Sequence, residues 1–350
     1  MIHPEFKLNG QSFTTVQDLK DLARNWTSAS GENRFIGEFI LEWLNADNFI
    51  QVKTSGSTGT PKLMTLQKQH VRNSARATVE YFQLFENTKA LLCMSSEYIA
   101  GKMMLVRAMT AGWDLYAVEP KKNPLQDATM EFDFVAMVPF QVFHAVDHLH
   151  KVKKIIIGGG AIPQKLENRL QEVDTLAFAT YGMTETISHI AARAVNGKQR
   201  STVFTALPQV TFSQTSEGCL KINAPLISDE IQVTNDVVEL ISPTAFRFLG
   251  RIDNVINTGG LKMYPEAIEQ KLSAYIEKPF FIASEEDEAL GERIIMVVEN
   301  KTAMHTDDFH EAFENLSTYE RPKKVYTVPS FSYTDTEKIR RSEVLAKLGI

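Results

Sequence analysis

Cysteine is scarce: Cys93 and Cys219 are the only two in 350 residues, far apart and with no CxxC partner. That pattern excludes a disulfide framework and a cysteine-rich zinc site, and it points to a reducing compartment, the cytoplasm. The opening MIHPEFKLNG lacks the basic region and apolar stretch of a signal peptide, so secretion is not expected. Apolar runs are short, and even residues 136–143 fall well below the ~18 residues that cross a bilayer, so no membrane anchor is expected. Nor is there an excess of positive charge: 37 basic against 43 acidic side chains leave a net −6, which argues against general affinity for nucleic acid but allows a local basic patch for a phosphorylated small molecule. Two catalytic patterns are also missing. His144-Ala-Val-Asp-His148 lacks the glutamate of HExxH and reads as a solvated helix end. No Ser-His-Asp or Cys-His arrangement is evident. Repeats and low-complexity tracts are absent.

What is present is the balance of an ordinary globular chain, 43% hydrophobic and 23% charged, long enough for about two domains. Short apolar runs at 50–53, 90–94, 114–118, 134–138, 154–157 and 175–179 predict buried strands. Between them, 68–85, 99–111, 140–149 and 163–173 have helical length and period. This alternation predicts an α/β fold whose mostly parallel sheet is covered by helices. After about Gly197 short alternating stretches (209–213, 219–223, 230–234, 246–249) predict a small antiparallel region. A turn-rich segment, 250–260, then leads into a module of about a hundred residues, with helices at 265–275 and 307–316 and strands at 280–283, 293–298 and 324–328. The expected division is a large domain over 1–250 and a small α+β domain over 251–350.

The most specific stretch is Thr54-Ser55-Gly56-Ser57-Thr58-Gly59-Thr60-Pro61-Lys62, directly after a predicted strand. Glycines let backbone N–H groups encircle an oxyanion, hydroxyls add donors, and the lysine brings a mobile cation, so the stretch suits phosphates. It is not a Walker loop, which needs four residues between its glycines and a Lys-Ser/Thr pair after the second. Tyr181-Gly182-Met183-Thr184-Glu185 also follows a predicted strand, where open α/β sheets place their ligand crevice. Glu185 suits a magnesium ion carried by a nucleotide triphosphate, and Thr184 suits a phosphate oxygen.

With Gly250-Arg251-Ile252-Asp253 and a late Thr336-Glu337-Lys338-Ile339-Arg340-Arg341, these segments resemble the acyl-adenylate-forming superfamily of acyl-CoA synthetases, in the superfamily's order from about Ile50 to the C-terminus. The resemblance implies ATP, magnesium and coenzyme A as partners, together with a small carboxylic acid. It implies that Ser55 to Lys62 cradles the β- and γ-phosphates, that Glu185 binds magnesium, and that Gly158, Gly159, Gly160 and Ala161 line the adenine site with Tyr181 and Gly182. Asp236 matches the aspartate that grips the ribose, with Arg251 beside it. Asp253 matches the hinge of a mobile small domain, and Lys338 the lysine that reaches the reacting carboxylate and α-phosphate. Glu337 and Asn235 stand where members of the superfamily usually carry glycine, and the segment before residue 54 is short for the superfamily.

Within the superfamily, IAGKMMLVR at 99–107 and YGMTETISHIA at 181–191 are most similar to o-succinylbenzoate:CoA ligases. That resemblance implies an aromatic diacid in a largely apolar pocket with one cation for the carboxylate that does not react. Arg107 is the candidate cation, set against a reading in which it faces solvent on its helix. Met137, Phe140 and Ser188 are candidate walls, and Gly259, Gly260 and Lys262 are candidates for the CoA-binding state. Competing expectations are a ligase for another aryl or medium-chain acid, an adenylating enzyme that loads a carrier protein, and a catalytically silent nucleotide-binding regulator.

Overall fold

The computed structural model describes residues 2–53, 63–333 and 339–350. Residues 54–62, the expected phosphate-binding stretch, and Lys338 with Glu337 therefore lie outside the described residues. Among the described residues a sheet of thirteen strands dominates. At its centre Asp114–Ala117, Lys89–Leu92, Phe132–Met137, Val152–Ile157 and Leu176–Gly182 run parallel in that spatial order. The short N-terminal strands Lys7–Leu8 and Gln11–Ser12 close one edge.

Period-2 alternation along the parallel strands sends neighbouring side chains to two cores. Ala90, Leu92, Phe134, Ala136 and Ile156 face a core shared with the helices Val16–Thr27, Glu32–Trp43, Lys68–Phe82 and Ile99–Ala111. Leu91, Val135, Met137, Ile155 and Ile157 face the helices Pro139–Ala145 and Gln164–Arg169. Both faces are covered, which explains the near-continuous apolar runs of these strands. Two predicted helices are shorter than their apolar period suggested: 140–149 passes from the helix Pro139–Ala145 into a 3-10 turn at Val146–Lys151, and 163–173 does the same after Arg169.

The antiparallel region expected after Gly197 is continuous with the parallel sheet. His189–Ala194 folds back against Leu176–Gly182, and Phe204–Ala206, Ala245–Arg251, Gln232–Ser242, Cys219–Asn223 and Thr211–Gln214 extend the same sheet.

The strand expected at 50–53 does not join the parallel sheet. Phe49–Lys53 pairs antiparallel with Leu63–Gln67, from Phe49↔Gln67 to Lys53↔Leu63, as a separate two-stranded ribbon. Parallel pairing needs a crossover of a dozen or more residues, and this connection is too short for one. Ile50 and Val52 are buried while Phe49, Gln51 and Lys53 are exposed, the alternation of a half-covered antiparallel strand. The ribbon is tied down by Lys102 Nζ donating to Gln51 O at 2.9 Å, Gln51 N donating to Glu42 Oε1 at 2.7 Å, and a Lys53–Glu97 ion pair at 2.8 Å.

The remaining residues build a second sheet of five strands, in which Gly291–Glu299 lies between Phe280–Asp287 and the parallel Lys324–Val328. The same alternation divides its sides. Ile282, Ile294, Met296 and Val298 pack on the helices Pro265–Leu272 and His310–Glu314, and Phe281, Ile295 and Val297 pack on the C-terminal helix Arg341–Leu348. Between Ile256–Thr258 and Leu261–Met263 the two-residue turn Gly259-Gly260 has φ of +55° and +82°. Two consecutive positive φ values define the turn whose twist matches a hairpin, and glycine adopts them without steric cost.

Candidate active site

The carboxyl ends of the parallel strands Val152–Ile157 and Leu176–Gly182 carry the stretches 158–161 and 181–185, where open α/β sheets place their crevice. Tyr181 is the next-to-last residue of Leu176–Gly182, and its ring meets Phe246 edge-on at 5.0 Å. Its hydroxyl donates to Asp236 Oδ2. Asp236 and Arg251 are cross-strand partners in the hairpin formed by Gln232–Ser242 and Ala245–Arg251. Arg251 Nη1 lies 3.6 Å from Asp236 Oδ1, and Arg251 Nη2 donates to Asp253 Oδ2 at 2.7 Å. Asn235 Nδ2, in a position where a glycine was expected, donates to the same Asp253 carboxylate at 3.2 Å. Burial pushes the Asp236 carboxyl up, against the pull of Tyr181 and Arg251. Burial and the adjoining Asp236 together push the Tyr181 phenol up, so that it stays a donor. Asp253 is held below the ordinary carboxylate range, chiefly by its Arg251 bond. Tyr181, Asp236, Arg251 and Asp253 thus form one bonded cluster although they come from three separate segments.

The turn after Tyr181 is tightly built. A Cβ on Gly182 would stand 2.4 Å from Ser188 O, a close approach that only glycine permits. Thr184–Thr186 forms a single 3-10 turn that leaves Glu185 exposed and Thr184 half-buried. Ile187 follows with φ +65° and ψ −53°, and Ser188 N donates to Thr186 O at 2.7 Å. A β-branched residue in that region is strained. The turn brings Ser188 to Arg107, whose Nη2 donates to Ser188 Oγ at 2.6 Å.

Arg107 does not face solvent. The helix Ile99–Ala111 is buried from Gly101 to Met109, and Arg107 keeps only 2% of its surface exposed. Nη1 approaches Met104 Sδ at 3.7 Å, and Nε has no hydrogen-bond partner among the described residues. No acidic side chain pairs with the guanidinium among the described residues, and burial pushes it down to about 9. Buried charges are ordinarily paired, so a buried arginine with no acidic partner among the described residues has the charge and the free donors to take an anion.

Gly158, Gly159, Gly160 and Ala161 follow Val152–Ile157, beside the strand of Tyr181; a Cβ on Gly158 would stand 2.6 Å from Thr180 Oγ1, and the last three of the four are exposed. Other expected residues lie elsewhere. Met137 belongs to the core on the sheet face opposite the helix of Arg107, among Val142, Ala145 and Ile157, and does not line the Arg107 site. Phe140 is exposed, its ring against His144 at 4.7 Å. Gly259 and Gly260 form the hairpin turn of the second sheet, with the exposed Lys262 on its second strand. Among the described residues no group of three metal-ligating side chains occurs. A lone exposed carboxylate at Glu185 fits magnesium that arrives on ATP phosphates rather than a resident metal. Thr78 and His189, which contact the Ser188 region, were not marked by the sequence pattern; the only signal for His189 was its place beside Ser188 in YGMTETISHIA.

The family of AMP-binding enzymes matches residues 11–213, more than half of the chain, and the chain belongs to that family. Among characterised proteins, the 2-succinylbenzoate–CoA ligase of Salmonella typhimurium is 24% identical over 329 residues, spanning 86% of this chain and 71% of that enzyme. The solved structure of an acyl-CoA synthetase (AMP-forming)/AMP-acid ligase II-like protein from Dyadobacter fermentans is 34% identical, covers 94% of this chain and 98% of its own, and superposes with a TM-score of 0.63. That of o-succinylbenzoate CoA synthetase from Bacillus subtilis, in complex with the acyl-adenylate intermediate OSB-AMP, is 18% identical, covers 84% of this chain and 68% of its own, and gives 0.73. The latter likeness is one of fold.

Proposed function

We propose that this protein is an ATP-dependent acid–thiol ligase that adenylates o-succinylbenzoate and transfers the acyl group to coenzyme A, with release of AMP and pyrophosphate. The observation that carries the choice of acid is the buried guanidinium of Arg107, unpaired by any acidic side chain among the described residues and tethered to Ser188 beside the Tyr181–Glu185 turn. A substrate with one carboxylate to activate and a second to bind supplies the missing anion.

In this reading Asp236 accepts from the ribose hydroxyls, Tyr181 holds that carboxylate in place, and the chain at 158–161 lines the adenine. Residues 54–62 and Lys338 take their roles from the resemblance: Lys62 faces the departing phosphates, and Lys338 reaches the reacting carboxylate and α-phosphate. Magnesium, held at Glu185, would neutralise phosphate charge. A carboxylate is already nucleophilic at neutral pH, so its in-line attack on the α-phosphate needs positioning and charge neutralisation rather than a general base. The division into a large domain over 1–250 and a small one over 251–350 then has a purpose. Rotation about Asp253 withdraws Lys338 and presents Gly259, Gly260 and Lys262 for the thioester step.

The test is to supply ATP, magnesium, CoA and o-succinylbenzoate, alongside benzoate and a fatty acid, and to follow pyrophosphate and thioester together. Both products appearing only with o-succinylbenzoate support the assignment. Pyrophosphate without thioester redirects it to another acyl acceptor, and thioester from another acid overturns the choice of substrate.

A further inference from the structure

Behind Ser188 lies a chain of buried polar groups that the proposed reaction does not use. His189, buried, has Nδ1 3.3 Å from Ser188 Oγ and Nε2 3.3 Å from Thr78 Oγ1. Thr78, fully buried in the helix Lys68–Phe82, donates its hydroxyl hydrogen to Ser74 O at 3.1 Å. Arg107 Nη2 ends the chain on Ser188 Oγ.

One assignment of the hydrogens satisfies every contact in this chain. A threonine hydroxyl has one hydrogen, and with that of Thr78 on Ser74 O, its shorter contact, Thr78 accepts from His189. Nε2 of His189 therefore carries a hydrogen. A neutral ring leaves Nδ1 bare, able to accept the hydroxyl hydrogen of Ser188. With that hydrogen committed, Ser188 offers Arg107 a lone pair, which a guanidinium donor requires. The ring is held neutral by burial first and by the Arg107 charge second, both of which push His189 well below its ordinary range.

We propose that His189, backed by Thr78, is a positioning residue for the acid substrate: as the neutral Nε2–H tautomer it orients the Ser188 hydroxyl so that Ser188 accepts from Arg107 and holds the guanidinium in place for the second carboxylate. This rests on the reading that Arg107 binds that carboxylate. Ser188 is accordingly an anchor for Arg107 and not a donor to the substrate, because its only hydrogen is held by His189.

The test compares o-succinylbenzoate with 3-benzoylpropionate and 2-propanoylbenzoate, each of which lacks one of its two carboxylates. The comparison monoacid is whichever of the two is turned over. His189→Leu removes the acceptor at similar size, and His189→Asn keeps an acceptor close to the Nδ1 position. In the leucine variant KM for the diacid should rise about tenfold, the usual scale for loosening a charge-assisted hydrogen bond. kcat, KM for ATP and KM for the monoacid should stay within about twofold, and the asparagine variant should recover most of the loss. Thr78→Val, which removes the group that sets the tautomer, should shift diacid KM in the same direction by less. If the leucine variant does not fold, Thr78→Val and His189→Asn carry the test: a valine variant with unchanged diacid KM overturns the proposal.

Equal losses for diacid, monoacid and ATP would make His189 merely structural and would also overturn it. So would an asparagine variant no better than leucine. Arg107→Met separates the two levels of the argument. If it abolishes the diacid preference while His189→Leu retains that preference, only the positioning role fails. If wild type and Arg107→Met show the same preference, the reading of Arg107 fails and the role of His189 falls with it.

Discussion

Replacing Arg107 by methionine should stabilise the protein while damaging its selectivity. Methionine keeps an unbranched stem of similar length and discards the charge. Burial lowers the Arg107 guanidinium from its ordinary range to about 9. At ~1.4 kcal/mol for each tenfold change in proton affinity, that corresponds to about 5 kcal/mol spent holding an unpaired cation inside the fold at neutral pH. The sign follows from linkage. A base with a folded-state value below its unfolded one costs stability wherever it is charged in both states, and the cost is relieved only as pH rises above about 9. Losing the bond to Ser188 returns about 1.5–3 kcal/mol of that gain. A net stabilisation of about 2–3 kcal/mol should raise Tm by roughly 3–4 °C in calorimetry. Selectivity should move the other way. Removing a charge-assisted contact worth about 3 kcal/mol raises KM for o-succinylbenzoate about a hundredfold, read by pyrophosphate release, with the monoacid little affected. Ligand-induced stabilisation by the diacid should disappear in parallel. A variant that melts several degrees lower and keeps its diacid preference would refute the reasoning, because it would show that Arg107 has its anion within the chain.

Three further outcomes are expected. Tyr181→Phe removes the donor to the half-buried Asp236 carboxylate, so KM for ATP should rise about tenfold in initial-rate assays while KM for the acid holds. Lys338→Ala should abolish acyl-AMP formation and leave ATP binding by calorimetry largely intact; unchanged turnover would remove this lysine from the site. Glu269 is raised to about 7, first by burial and against its Arg341 partner, so its neutral form is favoured in the folded state and stability should fall as pH rises from 4.5 to 7. The total is about 3 kcal/mol, and Glu269→Gln should flatten that part of the stability profile in denaturant titrations at successive pH values.

The sequence by itself determined the class of fold and the chemistry. Apolar runs separated by helical periods are local properties, and they located the parallel strands at the sheet centre and the helices between them, because burial on both faces writes itself into consecutive residues. The ordered motifs from Thr54 to Lys338 named the family for the same reason, since a phosphate loop or a Tyr-Gly-Met-Thr-Glu turn is encoded in adjacent positions. The small antiparallel region was legible too, although its continuity with the parallel sheet was not.

Tertiary structure decided the rest. Whether 49–53 joins the parallel sheet depends on its partner, and the partner proved to be Leu63–Gln67 across a connection too short for a parallel crossover. Arg107 read equally well as a solvent-facing residue or as the cation for a substrate carboxylate, because its helix is apolar nearly all round and carries no stripe to orient it. The bonds that give it meaning join residues remote in sequence: Arg107 and Ser188 are 81 positions apart, and Thr78 and His189 are 111 apart. A threonine inside a helix and a histidine beside a serine are ordinary in sequence. They become a directed hydrogen-bond chain only when the strained turn at Ile187 sets Ser188 and His189 against two helices. Local pattern therefore carried the motifs, whereas the desolvated cation and the hydrogen-bond chain behind it exist only through long-range packing.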